Sequence, residues 1–400
     1  MTPNLSTEKV LPLDPHDVFC PFEDCPNRGQ VGRGNIVIKG QKDRRYKCKT
    51  CGHAFAATTG TVFYRAHTPA WLITAVLTLL AWGCPLQAIV AAFGFDERTV
   101  ADWARKAGRH GQQVHEHLVE AGQVVTRVVQ ADELWVKLVG RKVWQAMAMA
   151  AESRLWLGGV ISATRDRHLI TALVLRVHAC LARYNITVCV DGLASYVTAF
   201  LHVFRKKVPP AAKRRGAWHK VIEPGLRLGQ VVKRYAGKVV SAVEERGMRG
   251  SVAGIRWVLQ QAKVGQHIHT ALIERLNATF RAHWTGLTRR GRALARTDAL
   301  ATAGMWLVGC CYNWCWPHDS LREATAEGAG KWLERTPAMA AGFTDHIWSM
   351  NELLTYKVPL SAWEPPKRRG RKPQPKPILP KQPRGRPKGS KNKPKQGVAA

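Results

Sequence analysis

Acidic side chains are scarce in this 400-residue chain: 28 Asp and Glu stand against 61 Lys and Arg, a formal charge of +33. Such a field repels cationic partners and attracts a polyanion. Long apolar runs are missing too. The most apolar window, Trp71 to Trp82, ends at Gly83-Cys84-Pro85, well short of the roughly 20 residues a bilayer crossing requires, so neither a membrane span nor a membrane partner is expected. Met1 to Asp17 lacks the basic and apolar stretches of a secretory signal, which points to the cytoplasm. In that reducing compartment the ten cysteines are not read as a disulfide framework, and regular spacing among them points to metal.

The charge is not confined to one tail. Residues 361–400 carry 13 Lys and Arg against one acid, so +12 resides there and +21 is spread over the first 360 residues. That distribution favours nucleic acid over a membrane-docking tail. The length predicts two or three domains, one of them large enough for an enzyme core.

Cys20-x4-Cys25 and Cys48-x2-Cys51 form two close pairs 22 residues apart, with a hairpin pattern around Tyr46 and Phe55. Two such pairs on two turns supply four thiolates for one tetrahedral Zn2+, the spacing of a zinc ribbon. His53 is expected to be a bystander. From Pro69 to Ala107 three short helices are predicted, broken at Gly83-Cys84-Pro85 and Gly94-Phe95-Asp96, with Asp96 as an N-cap and Val100 and Trp103 turned inward. This is helix-turn-helix grammar, in which Arg98, Arg105 and Lys106 face DNA. A plain helical hairpin gives the same pattern; the ribbon and the charge favour DNA.

Residues 127 to 196 change character. Arg127 to Val139, Lys142 to Ala151 and Leu155 to Ser162 read as strands, His168 to Tyr184 as a helix and Ile186 to Val190 as a buried strand, which together make an α/β core. A helix is expected from about Thr270 to His283. Past Leu360 the chain is too poor in apolar residues to form a core. There Pro383-Arg384-Gly385-Arg386-Pro387-Lys388 looks like an AT-hook, with Arg384 and Arg386 suited to a narrow A·T minor groove; a solvated basic linker has the same composition.

Strand alternation puts Asp132 on the face of Val128 and Gln130 and Glu133 on the other, so these two acids are not expected in one site. Asp191 ends an apolar run just before Gly192, at the carboxyl end of a central strand, the usual place for ligands. If the two strands are neighbours, Asp132 and Asp191 approach and repel, and a metal resolves the conflict. Glu223, Glu244, Glu245 and Glu274 are the choices for a third ligand. Helix geometry favours Glu274, whose face is shared by Asn277 and by Arg281, placed to hold a phosphate. A solvated helix carrying Glu and Arg has the same spacing.

The order of strands and acids resembles the catalytic core of DDE insertion-sequence transposases. The resemblance runs from Cys20 to about Leu354. It is carried by Asp132-Glu133-x-Trp135, Val190-Asp191-Gly192, Ile273-Glu274-Arg275-x-Asn277 with Arg281, Tyr312-Asn313-x-x-x-Pro317-His318-x-Ser320-Leu321, and the Thr336-Pro337-Ala338-Met339-Ala340 to Trp348 segment. It implies an α/β, ribonuclease-H-like catalytic core behind a zinc ribbon and an all-α helix-turn-helix module. Asp132, Asp191 and Glu274 are then the ligands of Mg2+ or Mn2+, two ions about 4 Å apart that promote DNA cleavage and strand transfer. The implied partners are element ends and target DNA, with a homo-oligomer assembled on them; the alternatives are a non-catalytic DNA-binding regulator and a structure-specific nuclease. The expected organisation is an N-terminal arm (1–17), a zinc ribbon (18–66), a helix-turn-helix (67–120), a catalytic domain (121–322, with 205–266 as a candidate insertion), a C-terminal helical segment (323–360) and a basic tail (361–400). The 82 residues between Asp191 and Glu274 exceed what a compact core needs.

Overall fold

The computed structural model of the chain describes residues 13–209, 218–237, 239–287, 297–324 and 332–365. The first described unit is an antiparallel sheet of β1 (Ile36–Gly40), β2 (Arg45–Cys48) and β3 (Ala54–Ala56). Tyr46 and Phe55 are paired across β2 and β3 with ring centroids 5.7 Å apart. With Val18 and Ile36 they close a small core around the cysteines. A core of this size needs a staple such as a bound metal.

Three helices follow, α1 (Ala70–Ala81), α2 (Leu86–Phe93) and α3 (Glu97–Leu118). Gly94 takes the left-handed conformation that ends α2, at φ +68°, and the Asp96 side chain accepts the Arg98 N–H at 2.8 Å to start α3. Val100 and Trp103 are buried, as expected. The helix nevertheless runs eleven residues past Ala107. Its second half packs on α8 (Asp298–Cys310) so closely that a Cβ at Gly108 would stand 2.3 Å from the Ala303 Cα. His110 Nε2 meets the Leu353 carbonyl oxygen at 3.0 Å. The helix with the DNA-reading pattern is thus packed directly on the scaffold behind it.

That scaffold is a mixed α/β unit. Strands β4 (Val128–Leu138), β5 (Arg141–Ala150) and β6 (Trp156–Ser162) form an antiparallel meander, followed by α4 (Arg167–Cys180), β7 (Thr187–Asp191) and α5 (Ala194–Val203). Next come a small antiparallel pair, β8 (Arg205–Val208) and β9 (His219–Ile222), then β10 (Arg227–Ala236) and β11 (Val239–Arg249). The helices α6 (Val252–Gln261) and α7 (Ala271–His283) precede α8. The six-stranded sheet has the order β11-β10-β7-β4-β5-β6, with β7 parallel to both β4 and β10. This order is compatible with the ribonuclease-H-like expectation. Odd-numbered residues Val129 and Ala131 of β4 join α4 and α5 in one core, while Leu134, Val136 and Leu138 join α7 in another, so helices cover both faces.

The long spacing before Glu274 has a structural account. Of residues 205–266, β10 becomes the parallel neighbour of β7, β11 its antiparallel edge, and α6 packs on both. Two short helices, α9 (Pro337–Ala340) and α10 (Met350–Thr355), lie beyond α8. The Trp314 and Trp348 rings lie 4.4 Å apart there, joining this segment to the core. The Val62 N–H reaches the Leu354 carbonyl oxygen at 3.2 Å, linking the end of the ribbon to the same place.

Candidate functional site

The four cysteines converge as their spacing predicts. Cys20 and Cys51 sulfurs lie 3.6 Å apart, Cys25 and Cys48 sulfurs 3.8 Å apart, and all four lie within 4.8 Å of one another. Tetrahedral zinc with Zn–S bonds of 2.3 Å requires about 3.8 Å between sulfurs, so the donor set fits that ion. Burial raises the Cys20 and Cys25 thiols. Cys48 is drawn down to about 6: burial opposes this, but the N–H groups of Cys51 and Thr50 and the Asn35 amide, 3.3 Å from its sulfur, stabilise a thiolate. His53 stays outside the cluster and packs its ring 4.8 Å from Phe22.

The second cluster is built by the sheet. Pairing of β4 with β7 aligns Val128 with Thr187 and Gln130 with Cys189, a register that brings Asp132 level with Asp191. Pairing of the two strands stops at Gln130, so Asp191, the last residue of β7, and Asp132, midway along β4, stand just past the point where they part. Asp132, Glu133 and Asp191 offer oxygens within 4.8 Å of one another, close enough to hold a metal ion. The expectation that Glu133 stays away is therefore corrected. Alternation itself holds, since Asp132 meets Asn277 of α7 while Glu133 meets Tyr196 of α5. With the ladder open beside them, however, no strand separates the two side chains. Burial pushes the Asp132 carboxyl up to about 7, and the charges of Glu133, Asp191 and Glu274 add to the rise, against one favourable backbone N–H. A cation would relieve that repulsion.

Of the four candidates for a third carboxylate, three are engaged elsewhere or stand apart. Glu244 pairs with Arg234 and Arg246, Glu245 with Arg256 and the Ile268 N–H, and Glu223 is 4.0 Å from Lys206. Glu274 lies outside the tight cluster, yet its charge acts on Asp132. Its Oε1 accepts from Lys233 Nζ at 3.0 Å and from the Thr270 hydroxyl at 2.9 Å. Burial opposes ionisation there, but those two donors hold the carboxyl below its usual value.

Asn277 is corrected in role. It is only 2% exposed, so it has no surface to offer DNA in this structure, and its Nδ2 donates to Asp132 Oδ2 at 2.7 Å. Gln130 plays a part that the sequence reading did not assign. Fully buried two residues before Asp132, it accepts the Leu272 and Ile273 N–H groups at 3.1 and 3.0 Å and donates to the His269 carbonyl oxygen at 2.9 Å. Those two N–H groups belong to the first turn of α7, where helical partners are lacking. The strand that carries Asp132 thereby holds the helix that carries Glu274 and Asn277. A glutamine within an apolar strand was the available signal. Arg165, Tyr196 and Lys233 had no local signal, because their neighbours in space are remote in sequence.

Among the expected DNA contacts, Arg98 is exposed near the start of α3, while Arg105 and Lys106 lie 3.5 and 3.0 Å from Asp102 on their own helix. Arg98 and Arg105 line a cleft of about 700 Å³ between α2–α3 and the Trp284 and Leu300 region, apart from the carboxylates. Arg281 is partly buried one turn beyond Asn277. Arg384 and Arg386 lie outside the described residues. Among the described residues no helix is long and apolar enough to cross a membrane. No protein-family model matches the chain, and no curated protein matches it at a significant level.

Proposed function

We propose that this chain is a DNA transposase whose carboxylates cut element ends and join them to target DNA. The observation that carries the reading is the level placement of Asp132 and Asp191 where two parallel strands part, beside a helix bearing Glu274. Asp132 and Asp191 are the residues to hold a divalent cation, with Glu274 completing the set. When bound, Mg2+ activates a water or a 3′-hydroxyl and stabilises the leaving oxygen. Asn277 orients the Asp132 carboxylate, and Gln130 keeps α7 in register with the strand beneath it. The four cysteines hold one structural zinc. The exposed face of α3 and the basic tail supply DNA contacts, and the paired DNA ends of a transposition reaction call for a homo-oligomer on DNA.

The test incubates purified full-length protein, with Mg2+, on labelled DNA carrying the flanking ends of its element, comparing wild type with D191N. Joined strands from wild type alone support the proposal. Cleavage without joining transfers the protein to the nucleases, and end binding without either product makes it a regulator.

A further inference from the structure

Glu133 and Arg165 both border the carboxylate pair. The Glu133 side chain is 2% exposed. Its Oε1 accepts from Arg165 Nε at 2.7 Å and from Arg165 Nη2, while Oε2 accepts the hydroxyl of fully buried Tyr196 at 2.8 Å. Both oxygens are thus occupied by donors the surrounding fold supplies. A carboxylate held this way is a fixed counter-charge more than an open metal ligand.

The guanidinium it fixes is posed rather than enclosed. Arg165 lies between β6 and α4, with its carbon centre 5.2 Å from the Trp144 ring centroid and a side chain that is 37% exposed. Nη2 stands 3.6 Å from Asp191 Oδ2, and Nη1 has no partner among the described residues. One edge of the plane is fastened to Glu133 and one face is supported by Trp144. Nη2, shared with Glu133, is the nitrogen nearest Asp191, and Nη1 is left over for an incoming group. A phosphodiester approaching that pair meets several negative charges, and a planar fork of N–H donors is suited to holding its oxygens there.

We infer that Arg165 binds a DNA phosphate beside the Asp132–Asp191 pair, and that Glu133 is the anchor that aims it and not a ligand of the ion. The inference rests on the reading of those carboxylates as a phosphodiester-processing site. If Arg165 serves only to neutralise Glu133, its loss lowers thermal stability and leaves DNA contacts unchanged.

The experiment uses full-length wild type, D191N, E133Q, R165M and R165K. Mn2+ affinity is measured by the electron paramagnetic resonance signal of free Mn2+. Binding of a fluorescent 30-base-pair duplex is followed against salt, with Ca2+ in place of Mg2+. D191N is expected to lose Mn2+ affinity at least about tenfold, with E133Q and R165M within about twofold of wild type. R165M should reduce the magnitude of the slope of log affinity against log salt by about 0.9, the contribution of one phosphate contact, and R165K should retain it. A tenfold loss of Mn2+ affinity in E133Q makes Glu133 a ligand and overturns the inference, as does an unchanged slope in R165M. Undiminished Mn2+ binding in D191N instead sinks the metal reading, and the R165M and R165K slopes still decide whether Arg165 holds phosphate.

Discussion

Cys20, Cys25, Cys48 and Cys51 are gathered by two turns of one small sheet, whereas Asp132 and Asp191 meet only because two strands from distant parts of the chain converge, with Glu274 on a helix beside them. The thiol set is closed: four sulfurs at zinc spacing leave no position for a substrate. The carboxylate set is open, with Asp191 and Glu274 side chains 37% and 47% exposed. Its acids are also held under mutual repulsion, which a structural site has no reason to maintain. One set is enclosed in a small core and the other faces solvent.

Separating the two sets by removing zinc should produce the largest effect. Structural zinc contributes on the order of 10 kcal/mol to the folding of a small unit, so C48S should release the metal and abolish hydrogen-exchange protection of β1 to β3. Mn2+ binding at the carboxylates should survive, since the sheet that carries them has its own core. Protection of β1 to β3 that persists in C48S would falsify the zinc assignment.

Asp132 offers the converse test. Its folded value of about 7 stands above the ordinary 3.8, so folding favours the protonated acid. The stability this group contributes is fully present below about 4 and is lost as pH rises through about 7. In metal-free protein D132N should therefore be more stable than wild type at pH 8, by up to about 4 kcal/mol, with the advantage shrinking to nothing near pH 4. Proton competition should also weaken Mn2+ binding to wild type as pH falls below 7. Thermal melts of both proteins across this range check the sign; an advantage that grows toward acid pH refutes the account.

How far the sequence foretold these two sets follows from their construction. The thiols were legible because their spacing is local, and so were the helix boundaries around Gly94 and Asp96 and the strand-strand-strand-helix-strand succession. The placement of Asp132 and Asp191 was legible only on the condition that their strands pair. What escaped was lateral. Nothing near Glu133 says that the ladder ends beside it, and nothing near Arg165 says that Glu133 and Trp144 await it. Asn277 was expected to share an open face with Glu274, but it is buried against Asp132 while Glu274 stays exposed.

The lateral contacts can be ranked by breaking them. Gln130 should matter more than any surface pair, because Q130A leaves two N–H groups of α7 without the buried acceptor they now have. Buried groups left unpaired cost about 1–3 kcal/mol each. A loss of stability of at least that size, together with a turnover number that falls more than the Michaelis constant rises, marks Gln130 as a positioning residue. Loss of stability with unchanged turnover would reduce it to a structural one.

Lys233 should show the smallest effect. Its pair with Glu274 is 41% and 47% exposed on the two sides, and ion pairs of that kind contribute no more than about 1 kcal/mol. K233M should thus barely move the melt. The charge it removes nevertheless holds Glu274 in place and ionised. If Glu274 joins Asp132 and Asp191 at a metal, freeing it from Lys233 should tighten Mn2+ binding modestly, by about two- to fivefold, within what a surface ion pair is worth. Weaker binding in K233M would mean that the lysine poses Glu274 for the ion, and unchanged binding would leave the metal with the Asp132–Asp191 pair alone.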